Sequence, residues 1–119
     1  MKELLETELQ EFIKSILPEK NELELEIIEY AEENHVSIVE EEVANFLKII
    51  TKIKNPVKIL EIGTGLGYST ISMAKSLGDN SKITTIELLP RRMKMAEAFI
   101  EKSGEKQKVN MLLGDGREI

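Results

Sequence analysis

Three glycines at alternate positions, Gly63, Gly65 and Gly67, form the stretch of this chain best suited to binding a ligand. They follow a short apolar run and precede a segment with helical spacing, so they lie where a predicted strand leads into a helix. Glycine allows a tight turn there and lets a ligand approach the main chain without meeting a Cβ atom. The ligand would then meet free amide groups at the start of the helix. The glycines therefore predict a ligand site contacted by backbone.

The spacing of these glycines separates three kinds of site. A phosphate-binding P-loop needs Gly-Lys-Ser or Gly-Lys-Thr, and neither triplet occurs in the chain. A dinucleotide fingerprint needs its third glycine at position 68, where Tyr68 stands. The third glycine comes one residue earlier, and the acidic Glu61 lies two residues before the first. The pattern is acidic residue, x, Gly, x, Gly, x, Gly.

Residues 61–70 resemble the S-adenosylmethionine-dependent methyltransferases of the doubly wound class, in particular the O-methyltransferase family that includes catechol and caffeoyl-CoA methyltransferases. The Gly-Tyr-Ser ending at 67–69 is the specific part of the likeness. The resemblance covers about residues 29–118 and takes in Thr-Thr-Ile-Glu at 84–87 and Gly-Asp at 114–115. It implies S-adenosylmethionine as cofactor, S-adenosylhomocysteine as product, and methyl transfer to an oxygen of a small molecule.

Glu87 supports the same cofactor on physical grounds. It ends the second predicted strand, 24 residues after Gly63, on the sheet edge that carries the glycines. A carboxylate there can accept hydrogen bonds from both ribose hydroxyls. The resemblance further implies that Glu61, Gly63 and Ser69 lie along the methionine part and that residues 115–117 contact the adenine. The full set of expected cofactor-binding residues is Glu61, Gly63, Thr64, Gly65, Gly67, Tyr68, Ser69, Glu87, Asp115, Gly116 and Arg117.

Apolar periodicity divides the chain into an N-terminal helical segment, 1–54, and a partial Rossmann-like unit, 55–119, within one compact domain. A Ser37–Glu40 capping-box pattern is expected to open the third helix, and Asn55-Pro56 ends the helical segment. Strand, helix, strand, helix, strand then predicts an α/β fold with a parallel three-stranded sheet in the order 3-2-1. The predicted helices are 3–17, about 21–34, about 37–54, 69–77 and 90–104, and the predicted strands are 57–62, 82–87 and 108–113.

Composition excludes several functions. The absence of cysteine rules out a disulfide framework, a zinc-finger cluster and a thiol nucleophile. The net charge of -6 is concentrated in residues 1–42, which carry fourteen glutamates and three lysines, and this disfavours nucleic acid as a partner. No apolar run reaches the roughly 18 residues of a membrane span, and the N-terminus has no signal-peptide pattern, so the sequence predicts a cytoplasmic protein without a membrane partner.

Members of the resembled family are about twice as long, and their further strands carry a catalytic base and divalent-metal ligands. We therefore expect a truncated form with no catalytic and no metal-binding residues of its own, inactive alone, in which a metal belongs only to a full-length form. The rival hypotheses are a non-catalytic binding or self-association module and, less favoured, a nicotinamide-binding half-domain. The apolar first strand would have a bare edge, which predicts a homodimer or higher oligomer, or else N-terminal helices folded over that edge.

Overall fold

A computed structural model describes residues 2–119 of this chain, with side chains from residue 6 onward. Three helices precede a parallel sheet whose three strands lie side by side in chain order, with the second strand in the middle, which confirms the predicted three-stranded Rossmann-like arrangement. The register pairs Leu60 of the first strand with Thr84 of the second, and Thr84 with Asn110 of the third. The elements are α1 (Lys2–Ile16), α2 (Glu22–Glu33), α3 (Glu41–Lys54), β1 (Lys58–Ile62), α4 (Tyr68–Ala74), β2 (Lys82–Glu87), α5 (Pro90–Ser103), a 3-10 turn (Lys106–Lys108) and β3 (Val109–Leu113).

Helix α2 begins at a capping box, but α3 does not. The Asn21 side chain accepts the Glu24 amide at 2.8 Å, and the Glu24 carboxylate accepts the Asn21 amide at 3.2 Å. The capping box expected at Ser37 and Glu40 is wrong, because α3 starts after Glu40 with no side-chain cap. The segment 37–39 stays outside the helix instead, where its two apolar residues pack against the main core.

A buried lysine binds the carbonyls at and after the end of α4, which ends three residues before its predicted end. Lys108 is 8% exposed, and its ammonium donates to the carbonyls of Ala74 at 3.3 Å and Leu77 at 3.1 Å. It also pairs with the Glu105 carboxylate at 3.1 Å. A cation at a helix C-terminus satisfies carbonyls that have no partner within the helix. Lys108 thus belongs to the turn before β3 rather than to the strand itself.

The hydrophobic core joins the N-terminal helices to the sheet. Ile27 and Ala31 of α2 pack in one buried cluster with Phe99 and Ile100 of α5, and the Tyr30 and Phe99 rings meet edge to face with centroids 5.8 Å apart. A second cluster forms between α4 and the sheet: Met73, Ala74, Leu77 and Ile83. This packing holds the ends of the strands and the loop before α4 in one rigid frame.

One edge of the sheet has no covering element within the described residues. β1 pairs with β2 alone, and Leu60 and Ile62 are 67% and 62% exposed. Helix α3 packs against α4 and leaves Phe46 and Ile53 exposed, at 58% and 79%. The alternative in which N-terminal helices fold over the β1 edge is therefore wrong. Among the helices described, none is long and apolar enough to cross a membrane.

Candidate functional site

The loop between β1 and α4, residues 63–67, has the conformation that its glycines predict. Gly63, Gly65 and Gly67 have φ angles of 90°, 58° and 85°, in the left-handed region that favours glycine. A Cβ atom on Gly67 would lie 3.3 Å from Ile100, so this position lets α4 pack closely against α5. A Cβ atom on Gly63 would meet nothing within 4 Å. The glycine loop is therefore open to an approaching molecule at Gly63.

The backbone of the glycine loop is anchored to β2. The amides of Gly63 and Thr64 donate to the carbonyl of Ile86 at 2.8 and 3.2 Å, and the Gly65 amide donates to Glu87 Oε1 at 2.8 Å. These three loop amides already donate to partners within the chain, whereas the free amides that the sequence predicts are those at the start of the helix, from Tyr68 onward. Glycine at these positions shapes the turn and leaves open space, rather than supplying free donors.

Glu87 lies at the end of β2 beside the glycine loop, as predicted. Its side chain is 5% exposed, and its two oxygens accept the amides of Gly65 at 2.8 Å and Leu89 at 2.9 Å. A carboxylate has about four acceptor positions, so each oxygen can accept one more hydrogen bond. The two amides hold the carboxylate in a fixed orientation at the carboxyl end of the central strand.

The carboxylate of Glu61 is bound by three hydroxyl groups. Ser69 donates to Oε2 at 2.6 Å, Thr85 donates to Oε1 at 2.7 Å, and Thr70 also donates to Oε1. The structure thus brings together Glu61 and Ser69, both predicted from the sequence. Sequence reasoning missed Thr70 and Thr85. Thr85 could have been found from the period of two along a strand, which places it on the same face as Glu87.

The side chain of Tyr68 is buried against the N-terminal helices and also borders a small cavity at the glycine loop. Burial, together with the nearby carboxylates of Glu24 and Glu41, raises the pKa of Tyr68 to about 12. The cavity has a volume of about 90 Å³ and adjoins residues 37–39, which the sequence did not connect with the site. Its lining residues are Ser37, Ile38, Val39, Gly63, Thr64, Gly65, Leu66, Tyr68 and Ser69.

The turn after β3 runs along the same end of the sheet. The Gly114 amide donates to the Glu87 carbonyl at 2.8 Å, and a Cβ atom on Gly116 would lie 3.1 Å from the Ile62 side chain. Asp115 accepts the Arg117 guanidinium at 3.0 Å from Nε and 2.6 Å from Nη2, which lowers the pKa of the Asp115 carboxyl. The predicted residues 115–117 therefore lie in a turn that crosses from β3 towards the end of β1.

The family model described as O-methyltransferase matches residues 15–119. The chain belongs to this O-methyltransferase family. It is 30% identical over 106 residues to an Arabidopsis thaliana protein named as a putative caffeoyl-CoA O-methyltransferase. The matched region covers 86% of this chain and 46% of that protein. It is 34% identical over 74 residues to a catechol O-methyltransferase of Niastella koreensis, covering 62% of this chain and 34% of that one.

Solved structures show the same partial overlap. An O-methyltransferase from Bacillus cereus, determined in complex with SAH, matches with a TM-score of 0.85 and 24% identity, over 92% of this chain and 51% of that one. A Klebsiella pneumoniae structure described as an O-methyltransferase matches with a TM-score of 0.82 and 25% identity, over 92% and 50%. The chain spans about half the length, or less, of these family members.

Across the described residues there is no group of three or more His, Cys, Asp or Glu side chains placed to hold a metal ion. The three acidic side chains of the site accept hydrogen bonds from different kinds of donor. Glu61 accepts them from hydroxyl groups, Glu87 from backbone amides and Asp115 from a guanidinium. The site thus consists of an open glycine loop and two oriented carboxylates at the end of a parallel sheet.

Proposed function

We propose that this chain is the cofactor-binding part of an O-methyltransferase and binds S-adenosylmethionine, with S-adenosylhomocysteine as the product form. The observation that carries the proposal is the contact between Glu87 and Gly65, which places an oriented carboxylate beside the open backbone of Gly63. Nucleoside cofactors bind at this position in doubly wound folds, outside the carboxyl ends of the strands. Membership of the O-methyltransferase family supports the same cofactor.

The residues present fit this cofactor. The free acceptor positions on the two oxygens of Glu87 suit a pair of ribose hydroxyls, and the open space at Gly63 would be filled by any Cβ atom. We place Glu61 and Ser69 along the methionine part, and the turn 115–117 beside the adenine. The proposed cofactor-binding set is Glu61, Gly63, Thr64, Gly65, Gly67, Tyr68, Ser69, Glu87, Asp115, Gly116 and Arg117.

When bound, S-adenosylmethionine supplies an electrophilic methyl group on its sulfonium. The contribution of this chain is to bind and orient the cofactor, because positioning two reactants can lower a barrier by several kcal/mol, on the order of 7 or more. The methyl acceptor in the whole protein is an oxygen of a small molecule. We assign no catalytic base and no metal ligand to these residues, and we expect this chain alone to be inactive. We propose a divalent metal only for a full-length form.

A second function is self-association without catalysis, favoured by the uncovered edge of β1 and the outward face of α3. Unpaired amides on an exposed strand recruit another chain, and parallel sheets are stable when both faces are covered. We propose that copies associate as a homodimer or higher oligomer through the exposed Leu60 and Ile62 of β1 and the exposed Phe46 of α3. We propose the cytoplasm as its location and no nucleic acid as a partner.

Thermal unfolding in the presence of ligands tests the cofactor proposal. A ligand that binds only the folded chain raises its melting temperature by mass action. S-adenosylhomocysteine at 100 times its dissociation constant should stabilise the fold by about 2.7 kcal/mol, and NAD should leave the melting temperature unchanged. Stabilisation by NAD alone would favour the nicotinamide-binding hypothesis, and stabilisation by neither would favour the self-association module.

A further inference from the structure

Thr85 lies in the middle of β2 with no exposed surface, and it connects two parts of the site that are far apart in the sequence. Its Oγ1 donates to Glu61 Oε1 at 2.7 Å and lies 2.6 Å from Thr64 Oγ1. A threonine hydroxyl carries a single proton. Because the proton of Thr85 goes to the carboxylate, Thr64 must be the donor to Thr85. The donors therefore run in one direction, from Thr64 through Thr85 to Glu61.

We infer that Thr85 is a positioning residue, which fixes the glycine loop in its binding conformation without touching the ligand; this inference rests on the proposed cofactor function. Thr64 is the one side chain between Gly63 and Gly65, and it is 3% exposed. Its hydroxyl is therefore the means by which a side chain of β2 can hold this part of the loop. The neighbouring glycines, with φ angles of 90° and 58°, have no side chain to hold.

β2 contacts the glycine loop at a second point two residues further on. Thr85 and Glu87 lie on the same face of the strand, and Glu87 binds the Gly65 amide while Thr85 binds the Thr64 side chain. Without the Thr85 hydroxyl, Thr64 would lose a buried acceptor and Glu61 would lose one of three donors. Such unpaired buried groups are costly, so the loop would move away from this conformation. The apparent dissociation constant would then rise in inverse proportion to the fraction of time that the loop keeps its binding conformation.

Three variants separate this role from a general effect on stability. Thr85→Val removes the hydroxyl and keeps the branched shape, and Thr85→Ser restores the hydroxyl. Thr84→Val is the matched control, because Thr84 immediately precedes Thr85, lies on the opposite face of the strand, and has no side-chain hydrogen bond among the described residues. Each variant is titrated calorimetrically with S-adenosylhomocysteine. Amide exchange at Thr64 and Gly65 is measured without ligand.

We expect Thr85→Val to weaken S-adenosylhomocysteine binding by ~10-fold and to speed amide exchange at Thr64 and Gly65. Thr85→Ser should bind within about 3-fold of the unmodified chain, and Thr84→Val should change neither measurement. A folded Thr85→Val with unchanged binding and unchanged exchange would overturn the inference. So would an equal effect of Thr84→Val, since that would show general destabilisation.

A variant at Thr64 and amide exchange without ligand test the role of Thr85 when Thr85→Val or ligand binding fails. If Thr85→Val does not fold, Thr64→Val removes the donor from the other end, and unchanged exchange at Gly65 in that variant would overturn the role. If the unmodified chain binds no S-adenosylhomocysteine, the proposed function fails by itself. Amide exchange then tests the contact between Thr85 and Thr64 without ligand. Faster exchange at Thr64 and Gly65 in Thr85→Val, but not in Thr84→Val, would support the positioning role, and unchanged exchange would overturn it.

Discussion

Glu87 Oε1 accepts a hydrogen bond from the Gly65 amide at 2.8 Å, which ties the end of β2 to the glycine loop at the end of β1. The two residues are 22 positions apart in the chain. In the proposed site the loop gives open space at Gly63, and the carboxylate gives oriented acceptors. Their contact places both features at the carboxyl ends of β1 and β2, and the proposed cofactor site depends on this contact.

Removal of the Glu87 carboxylate should weaken cofactor binding strongly. Glu87→Ala is expected to lose ~1.5–3 kcal/mol of S-adenosylhomocysteine binding, because hydrogen bonds to a charged acceptor are lost. Glu87→Gln keeps the shape and should show most of the same loss. Calorimetric titration gives the dissociation constants, and Glu97→Gln on the exposed side of α5 is the matched control. Equal affinities for Glu87→Ala and the unmodified chain would remove Glu87 from the site.

Gly63 and Gly104 form a matched pair for testing the glycine loop. Both have φ angles between 78° and 90°, and a Cβ atom on either would meet nothing within 4 Å. Alanine at each position should therefore cost a similar free energy of unfolding, about 1 kcal/mol. Gly63→Ala should also lose S-adenosylhomocysteine binding, whereas Gly104→Ala at the end of α5 should keep it. Binding retained by a folded Gly63→Ala would contradict the placement of the ligand.

The positions of the candidate site residues were largely predictable from the sequence, and the contacts between them were not. The pattern of the second strand predicted that Glu87 ends it beside the glycines, and the family resemblance implied Glu61 and Ser69. Thr85 was missed because its importance comes from hydrogen bonds to residues of another strand and of the loop. The partners of the loop amides were not predictable either, because only the folded backbone shows that Ile86 and Glu87 accept them.

The titration of Tyr68 should be visible in stability at high pH. In the unfolded chain a tyrosine titrates near pH 10, whereas burial raises the pKa of Tyr68 to about 12 in the folded chain. Between these values the folded chain binds more protons, so its free energy of unfolding falls as the pH rises. Urea unfolding from pH 9 to 12 should show a steeper fall for the unmodified chain than for Tyr68→Phe. Parallel curves would show that burial does not hold this phenol neutral.

Arg117 should control the ionisation of Asp115. The guanidinium lowers the pKa of the Asp115 carboxyl below its usual value of 3.8, with a smaller contribution from the Arg117 amide. Arg117→Ala should therefore raise the pKa of Asp115 towards that value, as followed by carboxyl carbon NMR. Arg117→Lys, which lacks the planar fork, should restore only part of the shift. An unchanged titration in Arg117→Ala would mean that the pair does not persist in solution.

The exposed edge of β1 should govern self-association. Light scattering of the unmodified chain is expected to give a mass above 13.5 kDa, and Leu60→Lys should shift it towards the monomer because a charge on the edge opposes pairing. Leu25→Lys is the matched control, since Leu25 is a similarly exposed leucine on α2. A monomeric unmodified chain would contradict the proposed association, and a mass lowered equally by both variants would place the interface elsewhere.

The helices of the N-terminal segment show where periodicity stops being informative. Apolar spacing correctly predicted α1, α2 and α3, but it did not show which apolar faces are buried. Phe46 and Ile53 of α3 belong to a face directed away from α4, whereas Ala44 on the opposite side is buried against it. A helix with apolar residues on two sides has two possible contacts, and only the packing of α3 on α4 selects one of them.

Calorimetric titration of the unmodified chain with S-adenosylhomocysteine tests the central proposal most directly, with the Glu87→Gln variant and NAD titrated alongside. We predict saturable binding of one S-adenosylhomocysteine per chain, weakened at least tenfold in Glu87→Gln, and no heat of binding with NAD. Absence of S-adenosylhomocysteine binding by the folded chain, or equal binding by Glu87→Gln, would contradict the proposal that the glycine loop and Glu87 form a cofactor site.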